Sequence, residues 1–214
     1  MSKIILIAAA CAALALAATP SLAQDEVNLF ISPCGEPFTA PRSAPYPVVN
    51  WFKKADANGD GKLDIDEMRA DATHFFQVLD RDGNGYIDSQ EVTFYERRMV
   101  PEILSPAALD TGIVRVVLQR GVQGVDPGGG AAPGAENVYK EQLDTNLGAA
   151  PYSLFHEPEP VRSADRNFDY RITLKEFQEH SDRHFHALDV NNKGFLTLAD
   201  LPKTSVEKEA KAHR

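Results

Sequence analysis

Cysteine is nearly absent, with two in 214 residues. One of them, Cys11, lies in an apolar N-terminal run whose removal would leave Cys34 alone. That excludes an internal disulfide framework. Catalytic signatures are missing as well. There is no HExxH motif, phosphate-binding loop, nucleophile elbow or paired reactive cysteine, so the chain reads as a non-enzyme. Basic residues are in deficit, 22 Lys and Arg against 31 Asp and Glu, for a formal charge of −9. An acidic chain suits neither nucleic acid nor an anionic membrane as partner, and it suits cations. Beyond the N-terminus no apolar run approaches the roughly 20 residues of a spanning helix.

The N-terminus reads as a secretory signal over residues 1–23. Lys3 gives a short positive start, Ile4 to Ala18 is apolar throughout, and Ser21-Leu22-Ala23 supplies the small residues of a cleavage site. Ala8-Ala9-Ala10 makes a poor lipobox before Cys11. Loss of Lys3 takes the charge from −9 to −10. The expected location is the periplasm or the outside of the cell. Residues 24–46 carry four prolines and no helical period, which predicts an extended arm. Cys34 lies there, in Ser32-Pro33-Cys34-Gly35-Glu36-Pro37, either as an incidental thiol or as a link to another chain. Residues 47–100 are dense in apolar, acidic and aromatic residues and read as folded. Residues 101–160 read as a connector broken by Gly128-Gly129-Gly130, with Ile113–Leu118 apolar enough to pack. Residues 161–203 resume the dense pattern, and 204–214 form a charged tail expected to fray.

Four acidic stretches repeat. Asp56 and Asp80 begin two of them, 24 residues apart, and Asp165 and Asp189 begin two more at the same spacing. The first carries Asp56, Asn58, Asp60, Lys62, Asp64 and Glu67 at positions 1, 3, 5, 7, 9 and 12. The second carries Asp80, Asp82, Asn84, Tyr86, Asp88 and Glu91 there. Each position has a physical reason. Calcium is a hard ion that takes six to eight oxygens. Positions 1, 3 and 5 reach it with side chains, and position 7 gives a backbone carbonyl, so Lys62 and Tyr86 need no special side chain. Position 9 acts through water, and Glu at 12 brings two oxygens. Gly61 and Gly85, at position 6, permit the turn at positive φ. Apolar Trp51, Phe52, Ala55, Phe75, Phe76, Leu79, Met68 and Val92 flank the loops at spacings that place them on helix faces.

With these motifs in hand, residues 47–100 resemble a calmodulin-type EF-hand pair. The whole chain is similar to bacterial secreted EF-hand domain proteins. The resemblance implies two helix-loop-helix units packed face to face, with Leu63 and Ile87 bridging the paired loops. Only the twelve residues Met68–Leu79 separate these loops, about half the calmodulin spacing. Either one helix serves both loops or the connection is very tight. The short spacing also resembles lanmodulin, the periplasmic lanthanide binder. That family typically carries Pro at loop position 2, where this chain has Ala57, Arg81, Arg166 and Val190, a departure that weakens the lanthanide reading and leaves a lanthanide-binding periplasmic protein as the alternative.

The second half is degenerate. Asp165, Asn167, Asp169, Arg171 and Glu176 keep the ligand pattern, but Tyr170 replaces the position-6 glycine. Forcing it into left-handed geometry costs roughly 1–2 kcal/mol, so weakened binding is expected. In the last stretch Asp189, Asn191 and Asp200 remain, while Lys193 puts an ammonium where an oxygen belongs. That loop is expected to be mainly structural, with Leu196 pairing with Ile172 and with Phe185, Leu188 and Leu201 against Phe177. His180 and His184, four apart, share a helix face that suits a transition metal. With no third ligand in view and a charged context, they read with His186 as solvated side chains. The expectation is a mostly α protein of two EF-hand pairs with short β-bridges. It would bind Ca2+ as buffer, sensor or structural module, with an unidentified protein as the other conceivable partner.

Overall fold

The computed structural model describes residues 27–104 and 147–212. The signal-like segment and most of the connector, including Ile113–Leu118 and the glycine run, lie outside the described residues. No described helix is long and apolar enough to cross a membrane.

Two long helices form the centre. Helix α2 (Ile65–Leu79) follows α1 (Val48–Ala55) and the first acidic loop; helix α4 (Leu174–Leu188) follows the third. Each is 15 residues, about 22 Å at 1.5 Å per residue. Helix α2 starts at a capping box: Asp64 accepts from the amides of Asp66 and Glu67, and Glu67 accepts from the amide of Asp64. It buries Met68, Asp71, Ala72, Phe75, Phe76 and Leu79, one face at helical spacing. It ends at Asp80, the first residue of the next loop. A single helix therefore serves both loops.

The two helices run antiparallel. Arg69 grips Asp182 through Nε and Nη2 at 2.7 and 2.9 Å, Gln178 donates to Thr73 at 2.9 Å, and Ser181 donates to the Met68 carbonyl at 3.1 Å. The fork is bidentate but half exposed, so it contributes up to about 1 kcal/mol.

This arrangement sets the loop pairing, which differs from the expected one. Loops 56–67 and 80–91 sit at opposite ends of α2 and cannot touch. Loop 56–67 pairs instead with loop 189–200, through a two-way amide exchange between Leu63 and Leu196 at 2.8 and 2.9 Å. Loop 80–91 pairs with loop 165–176, where β3 (Tyr86–Ile87) lies antiparallel to β4 (Ile172–Thr173). Leu196 meets Leu63, not Ile172, and Ile87 meets Ile172, not Leu63. The core divides the same way. Trp51, Phe52, Ala55, Leu63, Met68, Phe185, Leu188 and Leu196 fill one end, with Leu201 against them. At the other end Phe75, Phe76, Leu79, Ile87, Val92, Tyr95, Ile172 and Phe177 pack together. The expected contact of Phe185, Leu188 and Leu201 with Phe177 is thus replaced by packing on Trp51 and Phe52.

The proline-rich arm is a hairpin. Strand β1 (Val27–Ile31) pairs antiparallel with β2 (Pro37–Pro41). Its prolines fall at strand ends and turns of a two-stranded sheet, where the missing amides cost no ladder bond. Side chains alternate across the strand: Phe30 enters the first core while Leu29 and Ile31 enter the second. The hairpin is therefore wedged between the two cores. Gly35 in its turn has φ +97°, and a Cβ there would come within 2.9 Å of the Tyr95 hydroxyl, which donates to the Gly35 carbonyl at 2.7 Å. Cys34 is buried beside Asp71, and burial holds its thiol well above the ordinary range. A link from it to another chain would require unfolding. Helix α3 (Ser89–Phe94) continues through one π turn, Tyr95–Met99. The described part of the tail is helical where fraying was expected: Ser205–Ala212 forms α5, and Thr204 donates to the Tyr46 hydroxyl at 2.8 Å. With two small sheets beside the helices, the described part is less completely helical than expected.

Candidate metal centres

Each acidic loop is shaped by its own ligands. In loop 56–67, Asp56 accepts from the amides of Gly59, Asp60 and Gly61, Asn58 from Asp60, and Asp60 from Lys62. Glu67 folds back, with Oε1 taking the Asn58 amide at 3.2 Å and Oε2 the Asp64 amide at 3.1 Å. Loop 80–91 repeats this. Asp80 accepts from Asn84 and Gly85, Asn84 from Tyr86, and Glu91 from Arg81 and Asp88. Carboxylate oxygens of Asp80, Asp82 and Glu91 come within 4.8 Å of one another. Like charges gathered so closely repel unless a cation lies among them, so these residues fit a hard divalent ion. Asp64 and Asp88, the water-side ligands at position 9, also cap α2 and α3. Loop and helix start are thus one structure.

Loop 165–176 keeps the shape despite its sequence. Positions 4 and 6 have positive φ in all four loops. Glycine takes both places in the first two, at 72° and 78° and then at 70° and 87°. Here Phe168 and Tyr170 take them, at 59° and 64°, with 80% and 72% of their surfaces exposed. Two aromatic residues in this region are strained. The side chains nonetheless brace the turn: Asp165 accepts from Tyr170, Asn167 from Asp169, and Asp169 from Arg171, while Glu176 accepts from Thr173. Asp165 Oδ1 is buried with no hydrogen-bond partner, as suits an oxygen reserved for a cation.

Loop 189–200 has the converse fault. Asn192 and Gly194 supply the geometry at 50° and 78°, and Asp189 accepts from Lys193 and Gly194. The Lys193 ammonium then donates to Asp200 at 2.7 Å. This bond, with two more from Thr197, holds the Asp200 carboxyl down at about 2. The loop carries its own cation across the ligand ring. Asn191 is exposed.

Residues 48–70 and 73–93 match the family described as EF hand. These two stretches are EF hands. Calcium is the ion that such loops take. The chain is also 28% identical to a protein of Arabidopsis thaliana described as a probable calcium-binding protein, over 59% of this chain and 89% of the relative. No solved structure matches.

Of the ligand positions read from the sequence, the two EF hands bring their six each to one loop. In 165–176 Asp165, Asn167 and Asp169 brace the turn while Glu176 stays on Thr173, and Asp189 and Asp200 both bond Lys193. Two features escaped the sequence reading. Asp71, midway along α2, is buried and accepts from Trp51 Nε1 at 2.9 Å and from Lys54 at 3.3 Å. His180 and His184 are not solvated: they are 3% and 4% exposed and meet Glu157. Helical spacing held the signal, because His180 and His184 fall on the same buried face as Phe177, Ser181, Phe185 and Leu188.

Proposed function

We propose that this is an exported, non-enzymic calcium-binding protein that holds calcium tightly in its two EF hands, more weakly in loop 165–176, and not in loop 189–200. The observation that carries this ranking is the convergence of Asp80, Asp82 and Glu91, matched by the intact ligand series of loop 56–67. Affinity follows ligand charge and loop rigidity. Loop 165–176 keeps the ligands on a strained backbone, and loop 189–200 neutralises its own with Lys193. Export rests on the apolar run of residues 4–18 behind Lys3.

The connectivity favours a buffer or a calcium-stabilised module over a sensor. A sensor EF-hand pair swings its helices apart to bare an apolar groove. Here α2 leaves one EF hand and enters the other, so neither can swing alone. Calcium is expected to stiffen the protein without exposing its core. Calorimetric titration of metal-free protein with calcium at fixed magnesium, repeated with lanthanum, tests the reading. Two tight sites and a third weaker one support it, as does a hydrophobic dye that does not brighten with calcium. Negligible calcium binding beside tight lanthanum binding would replace it with a lanthanide role.

A further inference from the structure

We propose that Glu157, His180 and His184 form a transition-metal site for Zn2+ or a similar ion, separate from the calcium loops. The two imidazoles lie one turn apart on the buried face of α4, and the carboxylate comes from the segment following Ala150–Tyr152. Glu157 Oε2 lies 3.1 Å from His180 Nε2, and Oε1 lies 3.0 Å from His184 Nε2. One donor atom from each of the three fits within 4.8 Å of the others. Zinc bound by N and O ligands at about 2.0–2.1 Å in a tetrahedron needs ligand atoms about 3.3 Å apart, and both histidine–carboxylate spacings are already close to that.

The surroundings of His184 are those of a ligand held in advance. Phe155 stacks on His184 with ring centres 3.8 Å apart and planes 13° from parallel. His184 Nδ1 faces the Pro33 carbonyl at 3.0 Å. A carbonyl can only accept, so Nδ1 carries the proton and the Nε2 lone pair points at a carboxylate oxygen. Two acceptors 3.0 Å apart require a cation between them, either a proton or a metal. A backbone carbonyl on the far nitrogen is also the usual outer support of a metal-binding histidine. At His180 the Arg183 guanidinium donates to Nδ1 at 2.9 Å, which puts that ring's proton on Nε2. Metal binding moves it to Nδ1 and turns the half-buried Arg183 outward. The Glu157 side chain is 28% exposed, which leaves solvent access for a water as fourth ligand. Two imidazoles with one carboxylate suit zinc, cobalt or copper and not calcium, whose ligands are all oxygen.

The test uses untagged, chelator-stripped protein with its loops saturated by calcium, titrated with Zn2+ by calorimetry and with Co2+ by visible absorption. One zinc equivalent is expected, with the intense cobalt band of four-coordinate nitrogen and oxygen ligation. Glu157→Gln and His184→Gln should each weaken zinc by at least the roughly 10–100-fold that losing an outer-shell partner costs. Glu67→Gln should leave zinc unchanged. Circular dichroism of each variant with calcium checks that it folds. No zinc binding under calcium saturation would overturn the proposal and leave a proton as the shared cation. So would a cobalt band that survives Glu157→Gln in folded protein.

Discussion

At one end of the α2–α4 pair, EF hand 56–67 lies against loop 189–200. At the other, EF hand 80–91 lies against loop 165–176. Each end couples an intact loop to an impaired one, and the impairments are opposite. Loop 189–200 keeps Gly194 in the turn and loses its ligand field to Lys193. Loop 165–176 keeps its ligands and lacks both glycines. An EF-hand loop thus needs shape and charge separately, and the fold survives the loss of either. What a partner loop must keep is the apolar position-8 residue that reaches across, Leu196 in one case and Ile172 in the other.

The largest effect should come from breaking one bridge. Leu63 is fully buried, and Leu63→Ala should cost about 2–5 kcal/mol. The damage should fall on its own end. Trp51, the only tryptophan, reports the Leu63 core by fluorescence, and Cys34, in the Ile87 core, reports the other by thiol labelling. Leu63→Ala should loosen the tryptophan signal before it speeds labelling of Cys34, and Ile87→Ala should reverse that order. Next in size, Glu91→Gln should weaken calcium in its own loop on the order of 10–100-fold while sparing loop 56–67, as site-resolved calcium titration by NMR would show. Removing strain should help where ligands are intact. Tyr170→Gly is expected to tighten loop 165–176 by roughly the 1–2 kcal/mol the left-handed residue costs, read as a lower calorimetric Kd for the third site. Last, Lys193→Asp should create a new weak site of roughly millimolar Kd in loop 189–200, detectable as a fourth calcium in equilibrium dialysis.

The ligands were legible because an EF-hand loop is a local object: twelve consecutive residues contain its whole chemistry. The shared helix was partly legible too, since twelve residues from Met68 to Leu79 leave room for little else. Partner choice was not. The repeat suggests that neighbours pair, but a helix about 22 Å long keeps them apart, and the true partners lie more than 80 residues away. The hairpin was hidden by prolines that break a central strand and are harmless at an edge, although Leu29-Phe30-Ile31 already signalled burial. His180 and His184 were masked by charged neighbours Glu179, Asp182 and Arg183, two of which are themselves engaged, Asp182 by Arg69 and Arg183 by His180. Their third partner, Glu157, stands 23 residues from His180 in sequence, where no spacing rule reaches.

The pairing of loops across the two halves is tested most directly by amide nuclear Overhauser effects in calcium-loaded, isotope-labelled protein. Strong contacts are expected between Leu63 and Leu196 and between Ile87 and Ile172, with none between Leu63 and Ile87. A Leu63–Ile87 contact, with Leu196 meeting Ile172 instead, would contradict the shared-helix architecture and restore two conventional EF-hand pairs.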